Sequence, residues 1–316
     1  MKTTLRLILV MLLLVGVASF AQEQAPAVNH NTWTSGAPMP TSLAWTVTGI
    51  LKGQIYLAGG GTSIAGTGVV ADVQIYNPST NTWSTGVSLP SAVCCGAGAV
   101  VKNVFYVIGG YNGTGRVNEV WAYSTKTKTW TAKSPMPTAR GSIAAAVLNN
   151  IIYVVGGNGD NGDLRLNTVE SYDPATDTWK EEAPLLTGKS EPVAGKVGTT
   201  IVVPDGFTLS GWTGDTEGYD ATTNVWTAFK ADPSARNGAC GGVVGPQIYV
   251  AGGGTSGGTT SLTESFKVSK NTWKTLAALP QATLVPGSAV YKGQLYCFGG
   301  LNPGGSPMNN VQIYQP

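Results

Sequence analysis

Side chains able to do chemistry gather in three short stretches of this 316-residue sequence. "YNGTGRVN" (111–118) holds Tyr111 and Arg116, "NGDNGDLRLN" (158–167) holds Asp160, Asp163 and Arg165, and "WTGDTEG" (212–218) holds Trp212, Asp215 and Glu217. Guanidinium groups grip carboxylates through paired hydrogen bonds, aromatic rings stack on apolar sugar faces or cations, and carboxylates move protons. Together these groups suit recognition of a sugar-like or acidic ligand. Asp160, Asn161 and Asp163 also offer several oxygens from one glycine-rich loop, as calcium requires, but the closing glutamate of a calcium loop is missing. Turn capping by Asp and Asn is the simpler use, and no metal or cofactor is expected.

Further candidates lie upstream of these loops. Arg140 and Arg236 each stand 16 residues before the first glycine of a Gly-Gly doublet, and Lys189 and Glu191 enter the same region, as ligand-binding groups or as a pair. Trp45 and Trp212 are candidates to present a ring to a ligand, with extra packing as the alternative, whereas Trp121 reads as core. Cys94 and Cys95 are adjacent, as a vicinal disulfide or as buried thiols, and neither they nor Cys240 and Cys297 have zinc spacing. The single histidine, His30, leaves a Ser-His-Asp arrangement without its base unless it takes part, and its position argues against that. Glu191 and Glu217 remain as acid/base candidates.

Composition narrows the class. Lys2 and Arg6 precede an apolar run from Leu7 to Val17 and the small-residue stretch ending at Ala21, the pattern of a cleaved secretory signal over residues 1–21. The run is shorter than the roughly 20 residues that span a bilayer. Residues 22–316 keep 17 of the 19 basic residues against all 17 acidic ones, so the mature chain is near neutral, with no basic run to attract nucleic acid. A secreted or periplasmic protein is expected, with no membrane span after cleavage.

Positioning these residues falls to a repeat. Trp33, Trp83, Trp130, Trp179, Trp226 and Trp273 are separated by 50, 47, 49, 47 and 47 residues. Between them recur an apolar strand ending in Gly-Gly ("IYLAGG", "FYVIGG", "IYVVGG"), a polar loop, a strand ending in Tyr as in "YDPATDTW" (172–179), and a strand carrying Trp. In the fourth unit Ser210-Gly211 is read as the doublet. The strands are nearly continuous apolar runs, which implies burial on both faces, and Gly/Ala-rich runs such as "GSIAAAVL" (141–148) belong where strands converge. "NNVQIYQP" (309–316) lacks a Trp strand and "NHNTWTSGAPMP" (29–40) lacks a Tyr strand, so the two ends complete one blade.

The doublet, the Tyr, the Trp and "MPTAR" (136–140) together resemble the Kelch family, in a secreted, bacterial-type form, over essentially all of residues 22–316. The resemblance implies a single all-β, six-bladed propeller whose last blade is closed by the N-terminal strand. It also implies that the loops after Gly-Gly and those leading into each innermost strand share one face, over the channel, where concave sites form. Kelch adaptors use arginines near the positions of Arg140 and Arg236 to hold acidic peptides, so these join Glu191, Trp212, Tyr111, Arg116 and Arg165 as expected ligand-binding residues, with the tethering of neighbouring loops as the alternative for the two arginines. The Kelch-type copper oxidases need several histidines, so that chemistry is not expected from a chain with His30 alone. The expected role is non-catalytic binding of a carbohydrate or an extracellular protein segment on this face. The alternative is a carbohydrate-active enzyme of the sugar acid epimerase or mutarotase kind.

Overall fold

Each repeat folds into a four-stranded antiparallel sheet of strands three to nine residues long, whose first and second and third and fourth strands are joined by turns too short for a crossover. A computed structural model describes residues 30–63, 68–160 and 165–316. The expected signal over 1–21 lies outside the described residues, as do Asn161 and Asp163. Blade three is typical: Ala144–Leu148, Ile151–Val155, Val169–Asp173 and Thr178–Glu181 pair in sequence order from axis to rim. Blades one, two, four and five begin at Val47, Ala97, Gly195 and Cys240 and repeat the same order.

Blade six is assembled from both ends of the chain. Gly287–Tyr291, Gln294–Phe298 and Val311–Gln315 are completed by Thr32–Gly36, with Trp33 opposite Tyr314 and Gly36 opposite Val311. The innermost strand of every blade contacts that of the next, and the sixth contacts the first, so the molecule is an all-β, six-bladed propeller. Its centre admits only small residues. A Cβ on Gly98 would lie 2.1 Å from the Thr48 carbonyl oxygen of the neighbouring blade.

The rim explains the recurring Tyr, turn and Trp. Every rim Trp donates its indole N–H to a carbonyl of the preceding blade, from Trp83 to Ala37 (2.8 Å) through to Trp33 to Ala277 (2.8 Å). Its ring packs on the Tyr or Phe of its own blade, as in Trp179 on Tyr172 at 5.0 Å. The residue two before each Trp has left-handed backbone. In five blades it is Asn or Asp, the types that tolerate this conformation best, and its side-chain oxygen accepts a backbone N–H from the neighbouring blade. Blade two has Lys128 there.

Blade four corrects the expected register. Its doublet is Asp205-Gly206, not Ser210-Gly211, because the Gly206 N–H donates to the Arg236 carbonyl as the second glycine of each other doublet donates to the next blade. Asp205 holds φ 62°, within the 56° to 72° of the first glycines it replaces. Ser210 and Gly211 instead belong to a small hairpin, Gly206–Thr208 paired with Gly211–Thr213. Trp121, expected in the core, is half-buried, and its indole N–H donates to Glu119 (3.0 Å).

Candidate functional site

Six residues, one per blade, encircle the mouth of the channel: Trp45, Cys95, Ser142, Glu191, Gly238 and Val285. Each donates its backbone N–H to the carbonyl of the preceding member, Cys95 to Trp45 (3.1 Å), Ser142 to Cys95 (2.7 Å), Glu191 to Ser142 (2.7 Å), Gly238 to Glu191 (3.0 Å), Val285 to Gly238 (2.6 Å) and Trp45 to Val285 (2.8 Å). The bonds form a closed backbone ring. All six hold φ between 50° and 62°, a conformation that costs non-glycine residues about 1 kcal/mol or more and is poorest of all for a β-branched Val285. The ring geometry compels this backbone, and four of its members, Trp45, Cys95, Ser142 and Glu191, line one cavity.

Beside the ring lies a cavity of about 350 Å³, the right scale for a small ligand. Loops leading into the innermost strands contribute Trp45, Cys94, Cys95, Ser142 and Glu191, while loops after the doublets contribute Tyr111, Arg116 and Asn158. Both loop sets therefore meet on one face. The Arg116 guanidinium lies over the Tyr111 ring, 4.9 Å from its centroid, and its Nε is buried without a hydrogen-bond partner. No ion pair to Arg116 exists among the described residues. Its backbone N–H donates to Asp160 Oδ1 (2.7 Å), which ties blades two and three together at the cavity wall.

Glu191 lines the same cavity. Burial pushes its carboxyl above the ordinary carboxylate range, opposed in part by hydrogen bonds from Asn237, Trp45 and Ser142 and by the charge of Arg165. Arg165 stands one layer back, over the Phe207 ring at 5.1 Å, and donates Nη1 to Asn158 Oδ1 (3.0 Å). With that oxygen engaged, the Asn158 amide N–H groups remain for the cavity.

Arg140 and Arg236 lie elsewhere. Both are 0% exposed, sealed between blades where a ligand cannot reach. Arg140 donates to the carbonyls of Gly156, Thr168 and Val154 and pairs with Glu170 at 2.9 Å; Arg236 pairs with Asp232 at 3.3 Å and with Glu264. Lys189 occupies the same position in blade four and pairs with Glu217 (3.0 Å) rather than with Glu191. These ion pairs account for Glu217 as well, which is 2% exposed. Trp212 stands outside the cavity on the blade-four hairpin, half of an edge-on contact with Phe207.

Of the residues expected at the site, the structure thus brings Trp45, Tyr111, Arg116 and Glu191 to one cavity, with Arg165 behind Asn158. Ser142 and Asn158 were not anticipated. Their signal was positional, since Ser142 falls in the 45, 95, 142, 191, 238, 285 series that repeats the tryptophan spacing. The cysteines divide: Cys240 and Cys297 form a disulfide between blades five and six, 57 residues apart in the chain, while Cys94 and Cys95 are free thiols on the cavity wall.

The fold and ring define a propeller with a channel-mouth cavity. A family model described as the KLHDC2/KLHL20/DRC7 Kelch-repeats domain matches residues 27–211, and the Kelch motif matches residues 235–280 and 286–316. The chain belongs to the Kelch-repeat family. Among solved structures, the one described as "Structure of YjhT" is similar, with 17% identity, a TM-score of 0.76, and coverage of 87% of this chain and 95% of that one. At that identity the likeness concerns the fold. No curated protein matches the chain.

Proposed function

We propose that this chain is a secreted or periplasmic, single-domain Kelch propeller that binds a small acidic carbohydrate in the channel-mouth cavity. One observation carries the reading: the buried cations Arg140, Lys189 and Arg236 each have a carboxylate partner, whereas Arg116, on the cavity wall, has none. A ligand carboxylate supplies the missing partner, with Tyr111 and Trp45 offering ring faces and Asn158 and Ser142 offering hydrogen bonds to hydroxyls. A cavity of about 350 Å³ suits a sugar better than an extended protein segment. Export is supported by the N-terminal pattern over residues 1–21 and by the Cys240–Cys297 disulfide, which persists in oxidising compartments.

The test is titration calorimetry with galacturonate. Arg116→Ala is expected to weaken binding about ten- to a hundredfold, the worth of a charge-assisted hydrogen bond, and Trp212→Ala to leave it unchanged. Equal affinity of the Arg116 variant and the parent, both folded, would remove the reading.

A second reading rests on Glu191, a cavity-wall carboxyl whose pKa burial raises, which is the direction that suits a general acid. Under it the protein interconverts anomers or epimers of the bound sugar acid. Proton magnetic resonance of the anomeric signals with catalytic amounts of protein checks it, with exchange expected to fall to the spontaneous rate in Glu191→Gln.

A further inference from the structure

Cys94 and Cys95 are consecutive residues whose sulfur atoms lie 2.9 Å apart on the cavity wall, closer to a bond than two unreacted thiols need to be. Closing them to a bonded separation of about 2.05 Å takes a movement of about 0.9 Å. The backbone holds them there. Cys95 belongs to the channel-mouth ring, fixed by its N–H to Trp45 and its carbonyl to Ser142, and Cys94 pairs with Tyr111 in both directions at 2.9 and 2.8 Å. Their neighbour Arg116 supplies a positive field, the setting in which cysteines react as thiolates. The other two cysteines already form a disulfide, so these two are the free thiols among the described residues.

We propose that Cys94 and Cys95 form a two-electron redox site, which closes to a vicinal disulfide by exchange with a small-molecule disulfide such as glutathione disulfide. One of the two, as its thiolate, attacks one sulfur of the entering disulfide, forming a mixed disulfide and expelling one thiolate. The other then attacks the cysteine sulfur of that mixed disulfide, expels the second thiolate, and gives its proton to the departing group. The cysteine pair loses two electrons and the small disulfide becomes two thiols. The hydrogen bond between the two, and then burial, raise the Cys95 thiol well above its usual range, while the same bond lowers Cys94.

Adjacent Cα atoms across a trans peptide stand about 3.8 Å apart, below the 4.4 Å at which ordinary disulfides begin, so the closed form is strained and readily reduced. Cys240 and Cys297, at a Cα separation of 5.7 Å, carry no such constraint. The two pairs should therefore respond differently to one redox buffer. The site does not depend on which sugar fills the cavity.

The test equilibrates the folded, full-length protein in glutathione buffers of graded ratio, quenches with acid, alkylates after denaturation, and reads peptide masses. In oxidising buffer the peptide containing Cys94 and Cys95 is expected to lose both alkylation sites and become lighter by two hydrogens. Dithiothreitol should reverse this, and the Cys240–Cys297 pair should stay oxidised across the series. Full alkylation of Cys94 and Cys95 at every ratio, or a glutathione adduct that accumulates without closing, would overturn the proposal. No sugar is present, so failure here leaves the proposed ligand untouched.

Discussion

Charge placement at single residues separates what holds the propeller together from what is free to meet a ligand. Arg236 neutralises two buried carboxylates, Asp232 and Glu264. Arg236→Met leaves both uncompensated and is expected to cost about 3–5 kcal/mol in urea unfolding, with partial recovery in the double variant with Glu264→Gln. Asp205 offers a pH test. Burial, and then the charge of Asp232, raise its carboxyl well above the ordinary range, so the folded state holds a proton that the unfolded chain releases. Stability from this group is therefore present at low pH and lost as pH rises toward the folded-state value. Asp205→Asn keeps a donor for Asp232 and tolerates the left-handed backbone. Its melting temperature should exceed the parent's by about 2 °C or more at pH 8, a gain of order 1 kcal/mol, and the difference should shrink toward pH 4.

Much of this was written in the sequence, though not all in readable form. Arg140, Lys189 and Arg236 precede Glu170, Glu217 and Glu264 by 30, 28 and 28 residues, whereas blades one and six pair Leu43 with Gln74 and Thr283 with Gln312. The matching of charge with charge was a sign of internal ion pairs. What the letters do not state is that the guanidinium groups turn between blades rather than toward the channel. Nor do Trp, Cys, Ser, Glu and Val advertise left-handed backbone, so the ring at 45, 95, 142, 191, 238 and 285 became visible only through its hydrogen bonds.

At the scale of the element, the rim turn is the unit that repeats best, and its one exception is instructive. Lys128 stands where the other blades have Asn or Asp, so blade two lacks the side-chain oxygen that accepts from its neighbour. Lys128→Asn should add that bond and ease the left-handed backbone, gaining about 0.5–1.5 kcal/mol in denaturant melts. The innermost strands permit no such freedom. Gly98→Ala drives a methyl group into the Thr48 carbonyl and should destabilise by about 1–3 kcal/mol, the cost of an overpacked core. The repeat was legible from the Trp spacing, the innermost strands from their Gly/Ala-rich runs, and closure from the complementary half-repeats at residues 29–40 and 309–316. Blade four was misread because Asp205 stands where a glycine is the usual sign, and the next Gly in sequence, after Ser210, took its place.

For the whole molecule, closure and site are linked, because the ring at the channel mouth exists only when six blades meet. A chain beginning at Pro38 loses the strand that pairs with Val311–Gln315 and the Trp33 bond to Ala277. It should lose its cooperative thermal transition, leaving an open edge on blade six. Within the closed ring, the cavity combines one unpaired guanidinium, two aromatic faces and a carboxyl whose pKa burial raises. The most direct test of that combination is a thermal-shift panel on the mature protein at pH 6, comparing sugar acids with their neutral sugars and with acidic peptides, since ligands that bind the folded state raise its melting point. The cavity chemistry predicts that a sugar acid raises the melting temperature and that its neutral counterpart does so far less. An equal shift from the neutral sugar, a shift from acidic peptides alone, or no shift with any sugar acid would contradict it.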